Sequence, residues 1–460
     1  MLNLYEYQNK AENPASLEGL EEFLDVVWKN REKTDFYLGG QAGQIEAQQF
    51  VQFLHKTKEI KSNKYVGVIH FEGQRINLLP KIFYRADADN STEAVHAMQH
   101  HILWWLSYCR KIKFPNYQTS LGDVKSDFFE ILIYLFAKYT RQLLTSSIYQ
   151  QYEEVNNELP FIKGRLNTND YINENIARGR WHKLNCTYDA FVLDNKFNRI
   201  IKYVANLLFR NTTSSENKKY LREIPFILDE VSDVRATAEE CASLQFNPMF
   251  GEFETVRDYC YLFLSSSVSF SYKNDLKLFA FLLPMEYVFE DFIFGFIEKE
   301  VKEVQAKAQV SSKYLDKEGA FALRPDLLLE IGSRSVIADT KYKIVYTDDK
   351  DPKKGISQSD LYQMLAYAVR FKVEEVILFY PNTIQGYQEQ VSEVLIEDEL
   401  AGGKQVKIKA FQLPILNERL LLQEKCKSLE LVGMFEETKA SLSRSIRSIL
   451  LSSVFPSTSY

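Results

Sequence analysis

Phe321–Lys343, FALRPDLLLEIGSRSVIADTKYK, is the stretch on which the reading of this chain turns. Apolar runs at Leu327–Leu329 and Val336–Ala338 flank Gly332-Ser333-Arg334, a pattern that predicts two strands joined by a tight turn. Strand side chains alternate between faces, so Asp339 and Lys341, two apart, point the same way. Folding at the turn sets Asp326 opposite Asp339–Thr340, at a cross-strand spacing of about 5 Å. Two carboxylates and an ammonium group then converge on one narrow pocket. A hard cation such as Mg2+, or Mn2+ in its place, prefers oxygen ligands of this kind, here Asp326, Asp339 and the Thr340 carbonyl. That combination suits the activation of water against a phosphodiester, with Lys341 orienting or deprotonating the water or steadying the transition state.

The residues fit a PD…(D/E)-x-K pattern with the acids thirteen positions apart (339 − 326). The pattern is short and degenerate, and alone it fits a salt bridge on a surface hairpin better than a catalytic site. Its surroundings favour chemistry. The apolar flanks set both acids at the rim of a core, where carboxylates are costly unless paired. Downstream, a helix expected over Ser357–Lys372 carries Gln363 and Tyr367 at i and i+4, an amide and a phenol on one face. Upstream, Glu290 is an acid on an otherwise apolar helix expected over Pro284–Val301; it is either a further metal contact or a solvated helix acid.

The rest of the chain frames these motifs. At 460 residues it is long enough for two or three domains with substantial cores. It has no run of about 18 uncharged apolar residues, so no membrane span is expected. The start, MLNLYEYQNKAENP, lacks a basic segment followed by an apolar one, so no secretory signal is expected either. Cys109, Cys186, Cys241, Cys260 and Cys426 are scattered, odd in number and without a C-x-x-C pair, which argues for a reducing cytoplasm and against structural zinc. A net charge of −6 is wrong for a protein that grips DNA over a wide surface unaided.

Tyr65–Ile69 and Ile76–Leu79 read as a hairpin around Glu72-Gly73-Gln74, with a helix over Glu93–Tyr108. Helical periodicity follows in Asp127–Leu144, Lys196–Phe209, Ser215–Glu223 and Glu254–Leu264, interrupted by strand-like Gln150–Leu166 and Cys186–Leu193. Glu375–Tyr380, EVILFY, reads as a buried strand. The expected division is a mixed N-terminal arm (1–115), a mostly helical linker (116–275), an α/β domain with a mixed sheet (276–440) and a Ser-rich tail (441–460).

RPDLLLE, IADTKYK and SDLYQMLAYA together strongly resemble the endonuclease domain of the McrC family, the cleavage subunit of McrBC-type restriction systems. The Gln363–Tyr367 helix also resembles RecB-like members of the PD-(D/E)XK nucleases. Lys163-Gly164-Arg165-Leu166-Asn167, Asp194–Lys202 and Phe289–Phe292 resemble other parts of the family in order, and the resemblance spans about residues 60–380. It implies an α+β multidomain protein whose C-terminal domain has the PD-(D/E)XK endonuclease fold. It further implies an enzyme that cuts double-stranded DNA with Mg2+ and docks on, and stimulates, a hexameric AAA+ GTPase of the McrB type. A stand-alone restriction or repair nuclease, and a non-catalytic activator of a ring NTPase, are the competing readings.

The chain has no G-x-x-x-x-G-K-[ST] segment to cradle a nucleotide: Gly39–Gly43 lacks the lysine, and Gly402-Gly403-Lys404 lacks the spacing. Nucleotide hydrolysis therefore falls to a partner. His96 and His100 stand at i, i+4 in HAMQHHILWW, but without an H-E-x-x-H pattern they read as a packed or solvated helix face. No histidine follows His182, so a histidine-based nuclease mechanism is excluded from the C-terminal region. Lys343, Lys353 and Lys354 are either a solvated loop or candidate phosphate contacts, and Arg75 and Lys81 on the N-terminal hairpin are either surface charge or a candidate finger toward a GTPase partner.

Overall fold

The structure of the protein is a computed structural model. It describes residues 2–12, 51–54, 59–71, 74–85, 92–109, 128–272, 275–308, 313–332, 334–345, 353, 356–398, 404–417, 419 and 428–451. The chain forms two compact units, one of residues 1–131 with 266–460 and one of residues 132–265.

In the first unit a five-stranded sheet contains β1 (Leu2–Tyr5), β2 (Tyr65–Phe71), β3 (Gln74–Leu79), β4 (Ser267–Tyr272) and β5 (Asp275–Pro284), in the order β1-β3-β2-β5-β4. The expected hairpin at residues 65–79 is present as β2 and β3, with Glu72-Gly73 outside the described residues. Its outer neighbours come from far along the chain: β1 joins β3 in parallel, and β5 joins β2 antiparallel. That long-range pairing is why residues 266–284 belong with the first part of the chain.

Two helices of the same unit cross closely. In α1 (Thr92–Tyr108) and α2 (Met285–Glu300), Trp104 meets Phe292 with ring centroids 5.3 Å apart, and Tyr108 meets Phe296 at 5.0 Å. Gly295 permits the approach, because a Cβ there would stand 1.9 Å from the Tyr108 carbonyl oxygen. α2 fulfils the helix expected over Pro284–Val301. Its apolar residues Met285, Val288, Phe289, Phe292, Phe296 and Ile297 recur at helical spacing and are all buried.

A six-stranded mixed sheet follows, built from β6 (Gln305–Ala308), β7 (Leu327–Ile331), β8 (Arg334–Thr340), β9 (Glu375–Pro381), β10 (Gln390–Asp398) and β11 (Lys404–Leu413). Its order is β6-β7-β8-β9-β11-β10, parallel at β8/β9 and β9/β11 and antiparallel elsewhere. The connection from β8 to its parallel neighbour β9 contains α3 (Gln358–Phe371). Ser357 caps α3 by accepting from the Asp360 N–H, and Lys372 ends it in the left-handed conformation. Met364, Tyr367 and Ala368 form the buried face of α3, packed with Ile337, Val376, Leu378 and Ile408 of the sheet.

A last helix, α4, spans Ser428–Leu451. The Ser-rich stretch expected to form a tail from residue 441 thus begins inside a helix, with Leu442, Ile446 and Leu450 buried. Residues 452–460 lie outside the described ones.

In the second unit, the helices Lys196–Asn211 and Ser215–Ile227 pack together, and strands Gln151–Leu159, Arg165–Leu166 and Leu184–Val192 form an antiparallel sheet. Tyr149 is ringed by Phe197, Phe246, Phe250 and Phe253, with centroids 5.2–5.6 Å away. No helix among the described residues is long and apolar enough to cross a membrane. Cys109, Cys186, Cys241 and Cys260 are free and buried.

Candidate active site

β7 and β8 make the expected hairpin. Leu327 pairs with Ala338 and Ile331 with Arg334, so extending the ladder by one step sets Asp326 opposite Asp339. Gly332 takes the turn with φ +58°, while Ser333 lies outside the described residues. On β8, Ile337, Asp339 and the following Lys341 share one face. Ile337 belongs to the core packed against α3, so the acid and the lysine continue that face toward the same helix.

The side chains close into a chain of contacts. Asp339 is only 1 % exposed, and its Oδ2 lies 2.6 Å from Lys341 Nζ. Lys341 Nζ donates to Gln363 Oε1 at 3.1 Å, Gln363 Nε2 donates to the Tyr367 hydroxyl at 2.8 Å, and that hydroxyl donates to the Arg324 carbonyl at 3.0 Å. Gln363 and Tyr367 therefore hold the lysine and tie α3 to the approach of β7. Asp326 Oδ2 accepts from both the N–H and the hydroxyl of Thr340, each at 2.8 Å. The Thr340 side chain is thus committed to Asp326.

The electrostatics follow from burial. Desolvation raises the Asp339 carboxyl to about 7, and the charge of Asp326 adds to the rise, while Lys341 opposes it. Desolvation also raises Asp326, against the two bonds from Thr340. Burial lowers Lys341, but Asp339, Asp326 and Asp360 more than offset this and leave it raised, so it is held as an ammonium. Among the described residues, the buried Asp339 Oδ1 has no hydrogen-bond partner. A pair of repelling carboxylates with an unsatisfied buried oxygen fits a divalent cation. Among the described residues no group of three or more His, Cys, Asp and Glu is placed to hold a metal, so the two acids would need backbone or solvent oxygens beside them.

Glu290 lies on α2, half-buried, and its charge contributes to raising Tyr367, which places it in the neighbourhood of the other residues. Asp360 escaped the sequence reading. It is buried in the first turn of α3, accepts Lys343 Nζ at 3.0 and 2.7 Å, and its charge reaches Asp339 and Lys341. The signal was its position three residues before Gln363, on the same helix face. Lys343 is therefore engaged with Asp360, Lys353 is exposed, and Lys354 is outside the described residues.

Other motifs resolve as packing. His100 and His101 are buried, and His101, whose pKa burial lowers to about 3, sits among the rings of Phe83, Trp104, Trp105 and Phe435. The side chains of His96 and Arg75, and the glycine segments 39–43 and 402–403, lie outside the described residues.

These features define a mixed α/β protein of two units with an acid–acid–lysine cluster at one end of a mixed sheet. The family model for the McrBC 5-methylcytosine restriction system component matches residues 60–381, and the chain belongs to that family. No curated protein matches. Among solved structures, the chain is similar to one from a refined half-complex of the tetradecameric assembly of Thermococcus gammatolerans McrB AAA+ hexamers with bound McrC. The TM-score is 0.65 at 17 % identity, covering 98 % of this chain and 100 % of that one. A chain of the Thermococcus gammatolerans McrBC complex solved by cryo-EM aligns over 65 % of this chain and 88 % of its own, with TM-score 0.49 and 18 % identity.

Proposed function

We propose that this chain is the DNA-cleaving subunit of an McrBC-type restriction complex, with a PD-(D/E)XK nuclease domain formed around β6–β11 and α3. The observation that carries the reading is the ion pair of Lys341 with buried Asp339 directly across from Asp326. Asp326, Asp339 and the Thr340 carbonyl would hold Mg2+ or Mn2+, with Glu290 a further candidate. When bound, the cation supplies Lewis-acid polarisation of a phosphoryl oxygen and a more acidic water. In this reading Lys341, paired with Asp339, orients the attacking water and stabilises charge on the phosphate. Gln363 and Tyr367 keep its ammonium in place.

The acidic balance of the chain suits a nuclease that borrows DNA affinity from a partner. The similar chain comes from an assembly of McrB AAA+ hexamers with bound McrC. By that analogy we assign docking on an AAA+ GTPase to the region before residue 115, connection to 116–275 and cutting of double-stranded DNA to 276–440, in the cytoplasm. The test is cleavage of plasmid DNA by the purified chain with its partner GTPase, nucleotide and Mg2+. Asp339→Ala and Lys341→Ala should each abolish cutting, as should chelation of the metal, while assembly and GTPase stimulation persist. Loss of assembly in these variants would assign the hairpin a purely structural role.

A further inference from the structure

We propose that Glu6 and Tyr342 are positioning residues for Lys341: a buried knot of Glu6, Tyr342 and Lys81 fixes the backbone just past the lysine and so aims its ammonium at Asp339. The proposal rests on the nuclease reading for its functional consequence, but its geometry stands apart from it. β8 ends at Thr340, and Lys341 retains one sheet contact, its N–H donating to the Phe379 carbonyl at 2.8 Å. The chain then turns, with the Lys343 N–H donating to the Lys341 carbonyl at 2.8 Å. Something must hold this exit, and Tyr342 does.

Tyr342 is 3 % exposed, and its ring packs beside Phe289 of α2 at 5.9 Å. Its hydroxyl donates to Glu6 Oε2 at 3.2 Å, across 336 residues of sequence. The same oxygen accepts the Lys81 N–H at 3.1 Å, and Lys81 Nζ lies 4.5 Å from the centre of the Tyr342 ring. Glu6 is itself fixed by its N–H donating to the Leu79 carbonyl, one step past the β1–β3 ladder. A carboxyl this deeply buried is costly, and the tyrosine next to Lys341 supplies a side-chain hydrogen bond to it from far along the chain. Among the described residues the hydrogen bonds of this knot run between Glu6, Lys81 and Tyr342 and do not reach Asp326 or Asp339, so its effect would travel through the placement of residue 341.

The test compares full-length wild type with Tyr342→Phe, Glu6→Ala and Glu6→Gln. Tyr342→Phe keeps the ring and its packing but removes the hydroxyl; Glu6→Gln keeps an oxygen acceptor in the same place. Lysine reactivity toward acetic anhydride is read residue by residue by mass spectrometry, without DNA or metal. In wild type Lys341 is mostly shielded, with its side chain 18 % exposed. Its modification should accelerate in Tyr342→Phe and Glu6→Ala and match wild type in Glu6→Gln, while Lys202 and Lys409 stay unchanged in all. In parallel, single-turnover DNA cleavage at saturating DNA should fall about tenfold to a hundredfold in the first two variants without change in DNA half-saturation.

Unchanged Lys341 reactivity in Tyr342→Phe and Glu6→Ala overturns the proposal. So does acceleration shared by Lys202 and Lys409, since the knot would then hold the fold and not the lysine. A wild-type protein that never cuts DNA, combined with a selective Lys341 response, sinks the nuclease reading and leaves the positioning intact.

Discussion

Replacing Glu6 with Gln should make the protein more stable at neutral pH, and by an amount that depends on pH. Desolvation raises the Glu6 carboxyl from 4.5 to about 8, with Lys81, its N–H and the Tyr342 hydroxyl opposing the rise and Glu286 adding to it. An acid whose folded pKa is raised contributes full stability below its unfolded pKa and loses it as pH climbs toward the folded value. Between pH 4.5 and 8 the loss grows by about 1.4 kcal/mol per pH unit, reaching about 3 kcal/mol at pH 7. Glutamine is close in shape to the protonated acid and keeps an acceptor for both donors. Its extra N–H, if left without a partner, costs about 1 kcal/mol independent of pH.

The net gain is therefore about 2 kcal/mol at pH 7, near zero at pH 5 and largest at pH 8 and above. For a unit of this size about 1–2 °C of melting temperature accompanies each kcal/mol, so the rise at pH 7 is about 2–4 °C. Urea unfolding from pH 5 to 8 provides the assay, with the buried pair Trp104 and Trp105 reporting on the unit that contains Glu6. A difference between variant and wild type that does not change with pH, or that shrinks as pH rises, would refute the reasoning.

Gln363→Leu removes the acceptor that steadies Lys341 and should lower cleavage about tenfold to a hundredfold at unchanged DNA binding, measured by single-turnover kinetics and gel shift. Thr340→Val keeps the shape but deletes the hydroxyl bond to Asp326, and calorimetric titration should find Mg2+ binding weakened by about tenfold or more. Gly295→Ala places a methyl group against the Tyr108 carbonyl, forcing α1 and α2 apart at a cost of about 1–3 kcal/mol; an unchanged melting temperature would show that the crossing yields freely.

Local chemistry decided which parts of this fold could be read in advance. The β7–β8 hairpin announces itself through two apolar runs flanking a glycine, and α3 through a serine cap and apolar residues at helical spacing. β9 stands out as an unbroken apolar run because it is central and parallel. Strands β10 and β11 scatter charged and polar residues among apolar ones without a regular alternation, which hides them from a reading by period. The pairing of β5 with β2 joins segments about 200 residues apart, and nothing local encodes it.

The site divides the same way. Asp326, Asp339, Lys341, Gln363 and Tyr367 lie in two short segments whose geometry follows from the hairpin and helix periods, and the structure gathers them. Asp360 was within reach of the same helical arithmetic. Glu6 was not, because an acid just past the end of a strand looks exposed until the tertiary fold buries it.

The two-residue link between β7 and β8 has a consequence for how far this motif can drift. Residues facing each other across such a ladder always share a side, so the two acids would remain neighbours if both strands grew by one residue each. They would, however, emerge on the surface of the sheet turned away from α3, beyond reach of Gln363 and Tyr367. Only growth by a full pleat in both strands at once restores the original side. Insertions into this hairpin are thus quantised, and a lone extra residue should silence the centre without touching any of its polar groups.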